Sequence, residues 1–256
     1  MIKINVNDEY LCVVRTKSFA DFFVHAQLLL VPSSPSDLLL NPSQETIASL
    51  LKSSVNSREL NSILLDYFSI SAEASHLCTN ILKTLIHLQT IYRSISNDQI
   101  IDPDTISDLL DSPLPSGLDR RGFGEIQERQ ARVLERLRSS RKKMAGKLRV
   151  LEFVWGCDRV VVMRGVVEQL DVAAKGAYIL RRDFDTMGRA VERIGGEIEH
   201  DRAMVERGRG VEVVRESEFG VRRQAEELEE HVYLCLLTIN RARAMVVREI
   251  CRSSMT

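Results

Sequence analysis

Glu197 and His200 have the residue types and the spacing that most resemble a metal site in this chain. They form a Glu-x-x-His motif, which on a helix places both side chains about one turn apart on one side. Di-iron carboxylate bundles need two such motifs and two further inward glutamates, and the sequence supplies one motif. Ile194 and Ile198 define the apolar side of the same helix, which leaves Glu197 at its flank and His200 further out. We therefore favour a solvated surface pair, and a metal-dependent helical-bundle enzyme is the alternative.

The cysteines, glycines and other histidines do not complete a catalytic motif. His76 and Cys78 are two residues apart, so on a helix they point away from each other, and no second pair completes a zinc site. The sequence has no C-x-x-C, GxGxxG, Walker or GxSxG motif, and we interpret Gly122 and Gly124 as turn residues. We therefore expect a non-enzymatic protein with no cofactor, no metal and no small-molecule substrate. Five unpaired cysteines indicate reduced thiols in the cytoplasm.

A basic run between positions 129 and 149 is the strongest candidate for a contact surface, since Glu135 is its one acidic residue. Three interpretations compete. The run forms a solvated helix face that pairs in part with the acidic N-terminal half, or it binds anionic lipid, or it binds nucleic acid. The last lacks an aromatic stacking platform, and we expect no nucleic-acid partner. The candidate contact residues are Arg129, Arg132, Arg136, Arg138, Arg141, Lys142, Lys143, Lys147 and Arg149.

The composition and the charge distribution favour helices that pack on helices. Aromatic residues make up 5% of the 256 residues, whereas sheets favour aromatic and β-branched side chains. Residues 1–118 carry 7 basic and 13 acidic residues, and residues 119–256 carry 28 and 23. The two halves can therefore attract each other, or the C-terminal half can face an acidic partner.

The clearest structural signal is a stripe of apolar residues from Val166 to Ile198 that repeats in strict four-three alternation. This period of 3.5 indicates a long helix packed along its length against another. We expect Gly195 and Gly196, inside the stripe, to permit close approach or a bend. A second stripe runs from Leu228 to Ile250, so the two predict an antiparallel hairpin. The predicted fold class is all-α, an elongated antiparallel helical bundle with long coiled-coil-like helices.

Prolines and serines divide the chain into four predicted regions. Residues 1–40 form an N-terminal segment with one short helix and partial disorder, and residues 41–111 form an N-terminal helical region in which Ser69 or Ser71 marks a break. Residues 112–120 are a linker. Residues 121–256 form the long-helix bundle, which packs with 41–111 as one domain. No secretory signal and no 18-residue apolar run occurs in the sequence, so we expect no spanning helix.

Three separated blocks of the sequence resemble one plant-specific family. They are the DYF-x-x-S-x-x-A-x-x-LC block within Glu59–Tyr92, the LD-x-AAKG-x-Y-x-L-x-x-D-x-DT block within Leu170–His200, and the LEE-x-x-x-LC-x-x-x-INRAR block within Leu228–Ile250. The family is a UPF-class group of uncharacterised helical proteins that includes integrin-epitope-like membrane proteins. The resemblance implies no catalytic residues.

Many members of that family carry two closely spaced membrane segments between the basic run and the LD-x-AAKG block. Here the corresponding residues 151–169 are too short and too charged to span a bilayer. Either this chain is soluble or peripheral, or it lacks a segment that other versions have.

We expect a helical interaction or scaffold protein that is cytoplasmic, or peripheral at the inner face of the plasma membrane. It would bind protein partners through helical surfaces and an anionic membrane surface through the basic run. A signalling adaptor is a further alternative, which differs only in its partners.

Overall fold

The structure is a computed structural model that describes residues 44–53, 57–97, 120–154 and 157–254. Within these ranges no residue lies in a β-strand, and the helices pack against one another in a bundle, so the prediction of an all-α bundle is confirmed. The helices are α1 (Gln44–Ser53), α2 (Arg58–Asn97), α3 (Arg120–Val154), α4 (Cys157–Met204) and α5 (Gly210–Ser254), with a π-helical turn at Val205–Arg209 between α4 and α5.

The four long helices run alternately up and down. Along α2 and α3, the ion pairs Glu73–Arg129 and Asp66–Arg136 follow each other in opposite chain order, so these helices are antiparallel. Contacts between α3 and α4 show the same reversed order, in the pairs Arg141–Asp171 and Gln127–Asp185. Between α4 and α5 the pairs are Glu168–Arg252 and Glu197–Gln224. Between α2 and α5 they are Phe68–Arg243 and Gln89–Glu229, so each of these helix pairs is antiparallel.

The short helix α1 packs against α2 and α5. The side-chain amide of Asn61 in α2 donates a hydrogen bond of 2.8 Å to the carbonyl of Leu51. Ser57 precedes α2, and its hydroxyl accepts a hydrogen bond of 3.3 Å from the amide of Leu60. This is an N-cap contact, which satisfies one of the free amides at the start of the helix.

The apolar stripe predicted on α4 faces the core along its whole length. All ten of its residues are buried, and α4 extends beyond the stripe at both ends. Full burial of a Leu or Ile side chain contributes about 1.5–3 kcal/mol, so this stripe supplies a large part of the packing energy of the helix. Its residues are Val166, Leu170, Ala173, Ala177, Leu180, Phe184, Met187, Val191, Ile194 and Ile198.

Two local expectations are wrong. No break occurs at Ser69 or Ser71, because α2 is continuous and both hydroxyls bond within it: Ser69 to the Glu73 carboxylate at 3.3 Å, and Ser71 to the Phe68 carbonyl at 2.9 Å. Gly122 and Gly124 lie in the first turns of α3 and not in a turn between elements.

Several expectations fall on residues 1–43, 98–119 and 155–156, which lie outside the described residues. These include the short helix of the N-terminal segment and most of the linker. The division of the chain into four regions stays a prediction.

Gly176 of α4 lies at a junction where both α2 and α5 come close to α4. A β-carbon at this position would lie 2.8 Å from the Tyr67 hydroxyl and 3.0 Å from the Ala242 β-carbon. The Tyr67 ring is fully buried, so it cannot swing out of the way. Gly195 and Gly196 have open space at the same position, so of the two expectations for them the close approach does not occur, and the bend stays a prediction.

We expect Gly176→Ala to lower the free energy of unfolding by about 2 kcal/mol, because the added methyl overpacks a closed junction. The matched control is Gly196→Ala in the same helix, which should raise it by about 1 kcal/mol through helix propensity alone. Urea unfolding followed by far-UV circular dichroism measures both. Equal effects of the two substitutions would show that the junction has room for a methyl group.

Candidate functional site

The first part of the basic run attaches α3 to its neighbours. Arg129 and Arg136 form ion pairs with Glu73 and Asp66 of α2. All four side chains are partly exposed, and such surface pairs contribute up to about 1 kcal/mol each. These contacts realise the first interpretation of the run, in which its arginines pair with acidic residues of the N-terminal half.

Three further residues of the run contact side chains of α3 or α4. Arg132 lies 3.9 Å from Glu128 of its own helix, and Arg141 lies 2.7 Å from Asp171 of α4. The Arg138 guanidinium lies 5.5 Å above the Tyr178 ring, within the range of a cation–π contact. Five of the nine candidate residues therefore have a partner in the described structure.

The last part of the run is different. Lys142, Lys143, Lys147 and Arg149 are exposed, and none of them forms an ion pair with another described residue. The buried positions that recur along α3 end at Ser140, and no side chain between 141 and 153 is buried. We call residues 142–153 the α3 tip.

Apolar side chains stand exposed at the same tip. Val150 is 63% exposed and Phe153 is 92% exposed, and Val161 at the start of α4 is 44% exposed. Glu152 pairs with Arg164 of α4 at 3.0 Å, which connects the tip to the next helix. The tip thus combines four cations with exposed apolar surface. Whether the nine residues contact lipid or a partner stays a prediction.

Among the described residues, no further metal ligands join the Glu-x-x-His motif. Glu197 is half-buried and accepts a hydrogen bond from the side-chain amide of Gln224, while His200 is exposed. The buried carboxylate nearby is that of Asp201, which accepts hydrogen bonds from the hydroxyls of Tyr92 at 2.7 Å and Ser217 at 2.6 Å. In the part of the chain that the structure describes, no three His, Cys, Asp or Glu side chains are placed to hold one ion.

A buried arginine joins α5 to α2. Arg243 is 2% exposed, and one of its terminal nitrogens donates to the Phe68 carbonyl at 2.9 Å and to the Ser71 hydroxyl at 3.0 Å. Its guanidinium also lies 5.4 Å from the centre of the Phe68 ring. Burial lowers the pKa of Arg243, and the neighbouring Tyr67 acts in the opposite direction. We call Tyr67, Phe68, Ser71, Gly176 and Arg243 the Arg243 centre.

Sequence reasoning missed this centre, although a signal was present. Arg243 stands four residues after Ile239 and three before Val246, which is the spacing of the apolar stripe on α5. A charged residue at stripe spacing is a candidate for a buried charge. Nothing in the sequence pattern, however, pairs it with Phe68 and Ser71, which lie far away along the chain.

The Arg243 centre also brings together the three blocks that carry the family resemblance. Tyr67, Phe68 and Ser71 belong to the first block, Gly176 is the glycine of AAKG, and Arg243 is the last residue of INRAR. Residues that are separated along the chain therefore meet at one junction of α2, α4 and α5.

Comparison with known proteins bears directly on that resemblance. A UPF0496 protein of Arabidopsis thaliana is 25% identical over 357 residues, covering 97% of this chain and 90% of the relative. Putative UPF0496 protein 2 of Oryza sativa subsp. indica is 49% identical over 94 residues, which are 32% of this chain and 23% of the relative. The homologues of this chain are UPF0496 proteins. The predicted resemblance to an uncharacterised plant family is confirmed.

A second UPF0496 protein of Arabidopsis thaliana is 33% identical over 95 residues, covering 33% of this chain and 26% of the relative. The alignment with the first Arabidopsis protein is 101 positions longer than this chain. Within the aligned region, the Arabidopsis protein therefore contains residues that stand opposite gaps in this chain. No family model and no solved structure matches the chain. Among the described helices, none has the length and apolar character needed to cross a bilayer.

Asp183 of α4 is a largely buried carboxyl group with a shifted pKa. Burial raises its pKa to about 6, against the opposing effects of His231, Arg182 and a hydrogen bond from the Thr238 hydroxyl. Because the folded state holds the proton more tightly than the unfolded chain does, this group favours folding most below about pH 4. Its contribution falls as the pH rises from about 4 to 6.

We expect Asp183→Asn to remove this loss of stability between about pH 4 and pH 6. Relative to the unmodified protein, the free energy of unfolding of the variant should increase across pH 4–6, by up to about 3 kcal/mol at neutral pH. Urea unfolding at a series of pH values measures the difference. The control is Asp185→Asn, which removes the same charge from an exposed position on the same helix. If the difference in the free energy of unfolding between the Asp183 variant and the unmodified protein stays constant from about pH 4 to pH 6, the raised pKa of Asp183 is contradicted.

Proposed function

We propose that this protein is a non-enzymatic helical interaction protein of the cytoplasm that attaches to an anionic membrane surface through the α3 tip. The observation that carries the proposal is the combination, at one end of one helix, of four exposed cations that form no ion pair with another described residue and the almost fully exposed Phe153. The rest of the bundle then remains free to bind protein partners through its solvent-facing helices. A signalling adaptor would use the same surfaces.

The chemistry of the tip fits the cytoplasmic face of a membrane. Each Lys or Arg near an anionic leaflet contributes about 1 kcal/mol to attachment, so four of them together supply up to about 4 kcal/mol. Aromatic and aliphatic side chains bind at the boundary between headgroups and acyl chains. Val150 and Phe153 can enter that boundary while the lysines and the arginine contact headgroup phosphates and carboxylates.

The tip is also better suited to this contact than the first part of the basic run. Arg129, Arg136 and Arg141 are engaged with carboxylates of α2 and α4, so their charges are already offset locally. A membrane would have to compete with those carboxylates, whereas the cations of the tip have no such competitor among the described residues.

Flotation with lipid vesicles tests the proposal. We expect the protein to float with vesicles that contain about one third phosphatidylserine and not with pure phosphatidylcholine, because the attraction is electrostatic. Replacement of Lys142, Lys143, Lys147 and Arg149 by Ser should weaken binding at least about tenfold. The single substitution Phe153→Ser should weaken vesicle binding less than the fourfold variant does. Because the contribution of Phe153 is apolar, this loss should be the same at all salt concentrations.

The matched control removes four exposed charges elsewhere, by replacing Lys83, Arg93, Arg193 and Arg248 with Ser. Its net charge equals that of the tip variant, so it should bind within about twofold of the unmodified protein if the tip is the contact. Equal losses in the two variants would attribute the binding to net charge alone and would contradict the proposal.

A further inference from the structure

Two cysteines from distant parts of the chain meet inside the bundle. Cys78 of α2 and Cys235 of α5 are both completely buried, and both are free thiols. The hydrogen bonds of Arg243 to Phe68 and Ser71 set the antiparallel register of α2 and α5. This register brings Cys78 and Cys235 to the same level of the helix interface, and Cys78 contributes to the raised pKa of Cys235. Cys251 of α5 is also a free thiol, and its side chain is partly exposed.

Contacts between α2 and α5 on either side of the two cysteines fix the positions of Cys78 and Cys235 relative to each other. Toward one end, Arg243 bonds Phe68 and Ser71, and toward the other, Gln89 bonds Glu229. Cys78 and Cys235 lie between these two contacts along their helices. The two sulfur atoms therefore cannot separate without loosening the interface on at least one side.

The surroundings protect the pair from most reagents. Burial raises the pKa of Cys235, and Cys78 and the Asp183 carboxylate of α4 act in the same direction. Asp183 in turn interacts with His231 and Thr238 of α5. A protonated, buried thiol reacts slowly with bulky or charged reagents. A small neutral oxidant that enters during local opening meets two sulfurs side by side.

We propose that Cys78 and Cys235 are a site of reversible oxidation, at which hydrogen peroxide converts the two thiols into a disulfide that joins α2 to α5. In the first step a sulfur attacks one peroxide oxygen, the O–O bond breaks, and the leaving hydroxide takes up the thiol proton as water. The product is a sulfenic acid, which condenses with a neighbouring thiol. In the second step the other sulfur attacks it, the S–S bond forms, the S–O bond breaks, and hydroxide leaves with the second proton. The two sulfurs lose two electrons and the peroxide is reduced to two waters.

The disulfide would have a measurable consequence for the fold. It would close a loop that contains α3, α4 and most of the bundle, and a covalent link across a long loop restricts the unfolded chain. The oxidised protein should therefore melt at a temperature about 5 °C or more above that of the reduced protein. This inference is independent of the α3 tip and of membrane binding.

The test uses the full chain with Cys12, Cys157 and Cys251 replaced by Ser, so that the buried pair supplies the only thiols. After treatment with hydrogen peroxide, we expect mass spectrometry of a non-reduced digest to show the peptide pair linked through Cys78 and Cys235. The rise in melting temperature should appear with the link and disappear on reduction with dithiothreitol. Both states are compared in one polypeptide, so the result does not depend on whether a variant of the pair folds.

The unsubstituted chain gives the second arm. There, Cys251 should be oxidised to sulfinic or sulfonic acid while the buried pair forms the disulfide. The proposal is overturned if the triple-Ser chain yields no linked peptide under peroxide that modifies Cys251 in the unsubstituted chain. It is also overturned if Cys78 or Cys235 proceeds to sulfinic acid instead of forming the link.

Discussion

The burial of Arg243 is the constraint on which the arrangement of α2, α4 and α5 depends. Removing a guanidinium from water is costly unless its donors are satisfied. Within the described residues no carboxylate pairs with it, and its charge is met instead by the Phe68 carbonyl, the Ser71 hydroxyl and the face of the Phe68 ring. These acceptors are fixed on α2, so Arg243 determines how far α5 can slide or rotate against that helix.

The same contact fixes the position of α4. The Phe68 carbonyl accepts a hydrogen bond from Arg243, and the hydroxyl of the preceding residue, Tyr67, lies 2.8 Å from the point that a β-carbon at Gly176 would occupy. A side chain at 176 would push α4 away from the junction, which explains why a glycine occupies this position beside the apolar stripe. From this junction the antiparallel register continues along α2 and α5, first to the thiol pair and then to the contact between Gln89 and Glu229. The interior thus uses polar contacts to set register, while the α3 tip presents its charges to solvent.

Sequence periodicity predicted what depends on local spacing. The four-three stripe on α4 identified ten core residues correctly, because a helix that packs along its length must bury one side at that period. It could not identify the Arg243 centre, whose partners come from residues more than 170 positions away. Ser71 illustrates the reason. A serine inside a helix suggests a break, yet here its hydroxyl is an acceptor for a buried cation. The basic run is likewise uniform in sequence, and the positions of Glu73, Asp66 and Asp171 in the fold divide it into two parts. The first part is paired, and the cations of the α3 tip form no ion pair with other described residues.

The most direct test of this account is the free energy of unfolding of Arg243→Ala, measured by urea denaturation beside the exposed control Arg248→Ala on the same helix. If the buried guanidinium holds α5 on α2, the first substitution should cost about 3 kcal/mol through the cavity and the lost hydrogen bonds. The control should stay within about 0.5 kcal/mol of the unmodified protein. An Arg243→Ala protein as stable as the control would contradict the account, since the bundle would then be held in register without the contact from which its arrangement is derived.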